Sequence, residues 1–216
     1  MKKATKISCC ISVGAFVAFA VWTVLVCLVD VQPIGPRQST VGLATINAYF
    51  HKLTGTHMLL YVVTDWLGLV PIAMALGFAI LGLVQWIKRK HILKVDYSIL
   101  VLGGFYLFVM VAYVVFEFIV VNRRPVLIDG YLEASYPSST TMLVACVIPT
   151  AIMQLYTRIK NKTAKIGVTT LLTAFTVFMI IGRLIAGVHW FSDIIGGLLI
   201  SVGFVSAYYS INTLKT

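Results

Sequence analysis

Six apolar blocks organise this chain, near residues 7–29, 59–87, 97–121, 139–159, 166–185 and 191–211. A helix needs roughly 20 apolar residues to cross about 30 Å of hydrocarbon, and each block meets that length. The second is long enough to tilt or to begin in the interface. The expected fold is therefore all-α and integral to the membrane, a bundle of six transmembrane helices forming one domain over residues 1–216. Composition excludes the competing classes. Of the 216 residues 60% are hydrophobic and 11% charged, against about 25% charged in soluble domains. A soluble enzyme, a disordered chain, a fibre and a disulfide scaffold are all ruled out.

The 17 Lys and Arg residues, set against 7 Asp and Glu, fall unevenly between the spans. Twelve lie on one side: Lys2, Lys3, Lys6, Lys88, Arg89, Lys90, Lys94, Arg158, Lys160, Lys162, Lys165 and Lys215. Arg37, Lys52, Arg123 and Arg124 lie on the other, and Arg183 sits near the end of span five. Basic loops stay in the cytoplasm, so a multi-pass cell-membrane protein with both termini cytoplasmic is expected. The net charge of +10 then faces anionic lipid headgroups and calls for no nucleic acid. Lys2, Lys3 and Lys6 before an apolar run, with Ala18-Phe19-Ala20, imitate a signal peptide. The run continues to Val29 and five spans follow, so a retained signal anchor is expected.

Cys9, Cys10, Cys27 and Cys146 show no metal-ligand or disulfide spacing, and neither metal nor cofactor is expected. Between residues 32 and 57, Leu43, Ile46, Tyr49 and Phe50 recur at helical spacing. They suggest a short interfacial helix, with a simple loop as the alternative.

Ionisable groups within spans are functional hypotheses by default. Asp65, Glu117 and Arg183 should lie at similar depth near the outer face, where the plainer reading is that they neutralise one another. Three polar clusters share that face: Asn122-Arg123-Arg124-Pro125, Tyr136-Pro137-Ser138-Ser139-Thr140-Thr141, and the stretch from Gly182 to Asp193. Arginine stays protonated, and its planar fork binds phosphate oxygens in pairs. Ser138 and Ser139 add hydroxyls at a helix start, whose free N–H groups and dipole attract anions, and Pro137 suits that position. A Pro-Ser-Ser start taken alone is an ordinary N-cap. His189 offers a reactive nitrogen, and Asp193 four residues on is expected on the same helical face, holding the ring's tautomer.

These residues resemble the signatures of the membrane-bound type 2 phosphatidic acid phosphatase (PAP2) superfamily. The third signature is similar to Gly182, Arg183, His189 and Asp193, with Gly182 where Ser is usual. The end of the first resembles Arg124-Pro125, and the second, Pro-Ser-Gly-His, resembles Pro137-Ser138-Ser139. The resemblance implies hydrolysis of a phosphate ester or anhydride through a phosphohistidine, without metal, at sites within residues 117–193. His189 would be the nucleophile and Asp193 would orient it. Arg124, Arg183, Ser138 and the Ser139 backbone would hold the phosphoryl oxygens.

Two departures from the family bear on substrate. Glu117 stands where the first signature has Lys, and Thr140 where the second has its acidic His. Arg123 is a candidate to replace the missing charge, and Thr140 a further phosphate contact. Glu117 and Asp65 are candidates to brace an arginine, Glu117 also to help activate water. Losing a general acid typically removes about 10²- to 10⁴-fold in rate. An alkoxide leaving group, with a conjugate acid near water's pKa of about 16, needs that proton. A lipid monophosphate leaving from a diphosphate, with an upper pKa of about 6, tolerates its loss. The expected substrate is thus a lipid phosphate or diphosphate, with polyprenyl or undecaprenyl diphosphate favoured over phosphatidate or phosphatidylglycerophosphate. Two alternatives stay open: a lipid phosphotransferase with the same intermediate, and a catalytically weakened membrane protein that binds lipid phosphate. The family variant suggests a bacterial origin.

Overall fold

The computed structural model describes residues 3–215, so Lys2 and the chain ends lie outside the described residues. Among the described residues eight α-helices follow in order: α1 Lys3–Leu28, α2 Ala44–Thr54, α3 Met58–Leu67, α4 Leu69–Arg89, α5 Tyr97–Phe118, α6 Ser139–Arg158, α7 Lys162–Ile185 and α8 Phe191–Asn212. Among the described residues there is no sheet, only three isolated antiparallel bridges.

Among the described residues six helical segments are long and apolar enough to cross a membrane, with α3 and α4 counted as one span, Met58–Arg89. At 1.5 Å per residue its 32 residues would extend about 48 Å if straight, well beyond the hydrocarbon thickness. The span is interrupted at Gly68, where α3 stops. Pro71 lies in the next turn and has no N–H to return to the Leu67 carbonyl, which favours a break there.

The most buried spans are α6 and α8. Packed along α8 are α1, α6 and α5, while α3 lies on α7 and α4 on α6. Apolar side chains gain nothing by leaving lipid for one another, so close packing and interhelical hydrogen bonds hold such helices together. Small and hydroxyl residues on α1 and α8 supply both: Ser12 Oγ donates to the Gly203 carbonyl at 2.8 Å and Ser8 Oγ to the Ser206 carbonyl at 2.9 Å. A cluster around Phe78, Leu102, Phe105, Met142, Ile200 and Tyr208 fills the bundle interior.

The segment after α1 contains α2, a helix, as the spacing of its apolar residues predicts. Leu43 is excluded from it, because at φ 50° it adopts a left-handed conformation that starts the helix. Ile46, Tyr49 and Leu53 are exposed, whereas Phe50 stacks on Phe191 with ring centroids 4.1 Å apart. One side of α2 is therefore fastened to the first turn of α8.

Candidate active site

The site lies at the end of the bundle opposite the Lys88–Lys90 and Arg158–Lys165 turns, and a short hairpin after α5 shapes it. Asp129 and Gly130 have φ of 47° and 81°, the left-handed pair of a type I′ turn whose twist suits a tight hairpin. Ile128 and Tyr131 exchange backbone hydrogen bonds across it at 3.0 and 2.8 Å, and Arg123 bridges Ala134 lower down. Successive side chains in extended backbone point to opposite sides. Arg124 thus faces His189, while Arg123 turns the other way and donates to the Leu132 carbonyl at 2.9 Å. Arg123, a candidate phosphate contact by its sequence, is thereby turned away from His189.

The connection from α7 to α8 carries the histidine. Gly187 at φ +68° brings the chain against α2's end so closely that a Cβ there would meet the Gly55 carbonyl oxygen at 1.9 Å. His189 lies in this connection, ahead of the helix, so it shares no helical face with Asp193. Asp193 instead accepts the Trp190 N–H at 2.9 Å and fastens the start of α8. Its Oδ2 is 3.8 Å from His189 Nδ1, and the closer partner of Nδ1 is the Ser135 carbonyl at 3.1 Å.

That partner decides the tautomer. A carbonyl only accepts, so Nδ1 carries the proton and Nε2 is the bare nitrogen. Two guanidiniums, which only donate, converge on it: Arg183 Nη2 at 3.2 Å and Arg124 Nη1 at 3.4 Å. His189 is 3% exposed. Burial first, and then the charges of Arg124 and Arg183, push its pKa well below the ordinary histidine value and keep the ring neutral.

Each guanidinium is steadied from behind. Arg183, 1% exposed, has the Tyr61 ring 5.0 Å from its Cζ, and its Nη1 donates to Thr64 Oγ1 at 3.4 Å and lies 3.7 Å from Asp65 Oδ1. Arg124 Nε lies 3.0 Å from Glu133 Oε2. The Asp65 and Glu133 side chains are 59% and 43% exposed, and such half-solvated carboxylates offset little of a buried charge. An anion arriving at Nε2 would complete the balance.

A cavity of about 230 Å³ opens beside His189, lined by Arg124, Glu133, Ser135, Ser139 and Glu117. Next to it a groove of about 930 Å³ runs between α4, α5 and α6 from Asp65 to Trp86, almost wholly apolar along its length. Ser139 and Tyr113 border both spaces. Ser138 is fully buried, its Oγ accepting the Thr141 N–H at 3.5 Å and its own N–H donating to the Asp193 carbonyl at 3.0 Å. Thr140 borders the groove and not the small cavity, because one residue along α6 turns it about 100° from Ser139. Glu133 and Ser135, which the sequence reading did not single out, are both beside the histidine. The Asp-Gly pair at 129–130 signals a tight hairpin, but its register alone would set Arg124 opposite Ser135, and the observed pairing of Arg123 with Ala134 is shifted by two residues between the turn and the strand ends.

With this geometry in hand, the model of the PAP2 superfamily matches residues 99–216, more than half of the chain. The chain belongs to the PAP2 superfamily. The fold of this PAP2 protein is similar to that of a solved transmembrane PAP2-type phosphatidylglycerolphosphate phosphatase from Bacillus subtilis. The two share 19% identity at a TM-score of 0.58, over 92% of this chain and 94% of that one. Comparison with curated proteins gives no sequence match. This PAP2 chain is a membrane phosphatase, a hydrolase of phosphoric esters or anhydrides.

Proposed function

We propose that the protein removes a terminal phosphoryl group from a membrane lipid diphosphate at the extracytoplasmic face, through a phosphohistidine on His189 and without metal. The observation that carries this reading is the state of His189: proton held on Nδ1 by Ser135, bare Nε2 flanked by Arg124 and Arg183. The Nε2 lone pair forms the N–P bond as the P–O bond to the lipid breaks, and that oxygen leaves with the electron pair. The ring becomes cationic, and the Ser135 carbonyl and Asp193 carboxylate stabilise its Nδ1–H. Water then attacks phosphorus, passing a proton through the cavity carboxylate of Glu117 to solvent. The N–P electrons return to Nε2 and inorganic phosphate departs. Two guanidiniums aimed at the transferring oxygens supply the charge stabilisation such a step depends on.

Two features support a diphosphate. No histidine borders the cavity besides His189, so a leaving group that needs no strong acid is favoured. The apolar groove adjoins the cavity at Ser139 and Tyr113 and has Thr140 on its wall, which favours the lipid chain and the leaving oxygen on that side. The extracytoplasmic assignment rests on the basic turns at the opposite end of the bundle. A lipid monoester is the second reading, favoured by the substrate in the name of the Bacillus subtilis relative.

Phosphate release in detergent with EDTA, from polyprenyl diphosphate, phosphatidylglycerophosphate and phosphatidate, tests the proposal. Fastest release from the diphosphate, abolished in His189→Ala, is expected. Release undiminished in that variant would refute the nucleophile, and donor loss without free phosphate would indicate transfer to another acceptor.

A further inference from the structure

We infer that Asn47, on α2 and outside the segment matched by the family model, is a positioning residue that sets the Asp193 carboxylate beside His189 by way of Ser192. The inference rests on the hydrolase reading above.

Asn47 is 0% exposed and uses both ends of its amide. Oδ1 accepts the Ser192 N–H at 3.0 Å, while Nδ2 donates to the Gly42 carbonyl at 2.7 Å and to Ser192 Oγ at 2.9 Å. A backbone N–H can only donate and a carbonyl only accept, so the amide has one permitted orientation. That orientation propagates. Ser192 Oγ receives a proton from Asn47 and, at 3.3 Å, another from Asn122 Nδ2. Its own proton then has Asp193 Oδ1 within reach at 3.5 Å, the oxygen that Asn122 Nδ2 also approaches at 3.4 Å. The Gly42 peptide joins the two asparagines, its N–H donating to Asn122 Oδ1 at 3.1 Å. Asn122 in turn accepts the Ser135 N–H on its backbone carbonyl at 2.9 Å, and the Ser135 carbonyl is the one that holds His189.

The arrangement does more than cap a helix. Capping needs only the Oδ1 acceptor for the Ser192 N–H. The Nδ2 donor adds nothing to it, yet it fixes the direction of the Ser192 hydroxyl so that the chain from amide to hydroxyl to carboxylate delivers a donor to Asp193. Buried polar networks of this kind hold their members in a single arrangement only when every link is made.

Two substitutions separate these roles. Asn47→Asp keeps the size and the acceptor but removes the donor, so the Ser192 hydroxyl turns toward residue 47 and presents a lone pair to Asp193. Ser192→Ala removes the hydroxyl alone. The expected result is a fall in kcat of about 10- to 100-fold in each, the range for removing an outer hydrogen-bond partner of a catalytic group. KM should stay within about twofold, since substrate contacts are intact. The double variant should be no slower than the slower single one, because Asn47 acts through that hydroxyl. Melting in detergent and gel filtration check that each variant is folded. Wild-type kcat in Ser192→Ala, or losses that multiply in the double variant, would overturn the inference. Activity in His189→Ala would overturn the hydrolase reading along with it. An inactive His189→Ala beside a fully active Asn47→Asp would sink the positioning role alone.

Discussion

Arg124 is joined to Glu133 twice: its backbone N–H donates to the Glu133 carbonyl at 3.1 Å, and its Nε lies 3.0 Å from the carboxylate. The two strands of the hairpin thereby aim one arginine at His189. With the Glu133 carboxylate 43% exposed and screened by solvent, the pair contributes at most about 1 kcal/mol to stability. Its worth is in aim.

Glu133→Ala is therefore expected to lower kcat/KM by about tenfold, some 1.4 kcal/mol in transition-state stabilisation, while leaving the unfolding midpoint almost unchanged. Glu133→Gln, which keeps an acceptor, should retain most of the activity. Initial rates and thermal melts on the three proteins check this. An equal loss of stability would make the residue structural.

The acid side of the pH profile follows from the neutral state of His189. The nucleophile must be unprotonated, and burial with the two arginine charges lowers its pKa well below the ordinary value. The rate constant kcat/KM reports the free enzyme, so it should hold as pH falls through about 6.5, the unperturbed histidine value, and fail only further down. Removing one positive neighbour raises the pKa again. In Arg124→Gln the acid limb should shift to higher pH, on top of a loss in overall rate. A limb that stays in place would contradict the electrostatic account.

Thr140 borders the apolar groove, the side to which the proposed mechanism assigns the lipid chain and its leaving oxygen. Thr140→His should restore a proton donor there and raise hydrolysis of phosphatidate, whose alkoxide needs one, more than hydrolysis of a diphosphate. The gain expected for general acid catalysis is at least about 10²-fold. Parallel assays on both lipids measure it, and equal gains would undo the leaving-group reasoning.

Gly103 and Gly104 border the groove on α5, and a Cβ at either has no neighbour within 4 Å. Gly103→Phe should fit without strain in the helix and fill part of the channel. KM for a long-chain substrate is expected to rise several-fold, with hydrolysis of a water-soluble aryl phosphate unchanged. A rise for neither would show that the chain lies elsewhere.

Much of this protein was legible in its residues. Span number is a local property, since each helix satisfies its own backbone and needs only a long enough apolar run, and the six spans appear where those runs lie. Charge asymmetry is likewise local. Arg124, Arg183 and His189 stood out because always-charged groups and an imidazole are costly beside a bilayer, and Ser139 because it opens a helix. The structure brings the Arg124 and Arg183 guanidiniums to 3.4 and 3.2 Å from His189 Nε2, and Ser139 lines the small cavity beside Arg124 and His189. Contacts between distant segments decided the rest. Hairpin alternation turned Arg123 aside and Arg124 inward, and the Ser135 carbonyl, rather than Asp193 on a shared helical face, became the nearest partner of His189. Asn47 met Ser192 across 145 positions of chain. No spacing rule reaches that far, because a side chain's hydrogen bonds depend on which elements the folded bundle brings within 3 Å, and only the packed tertiary structure carries that information.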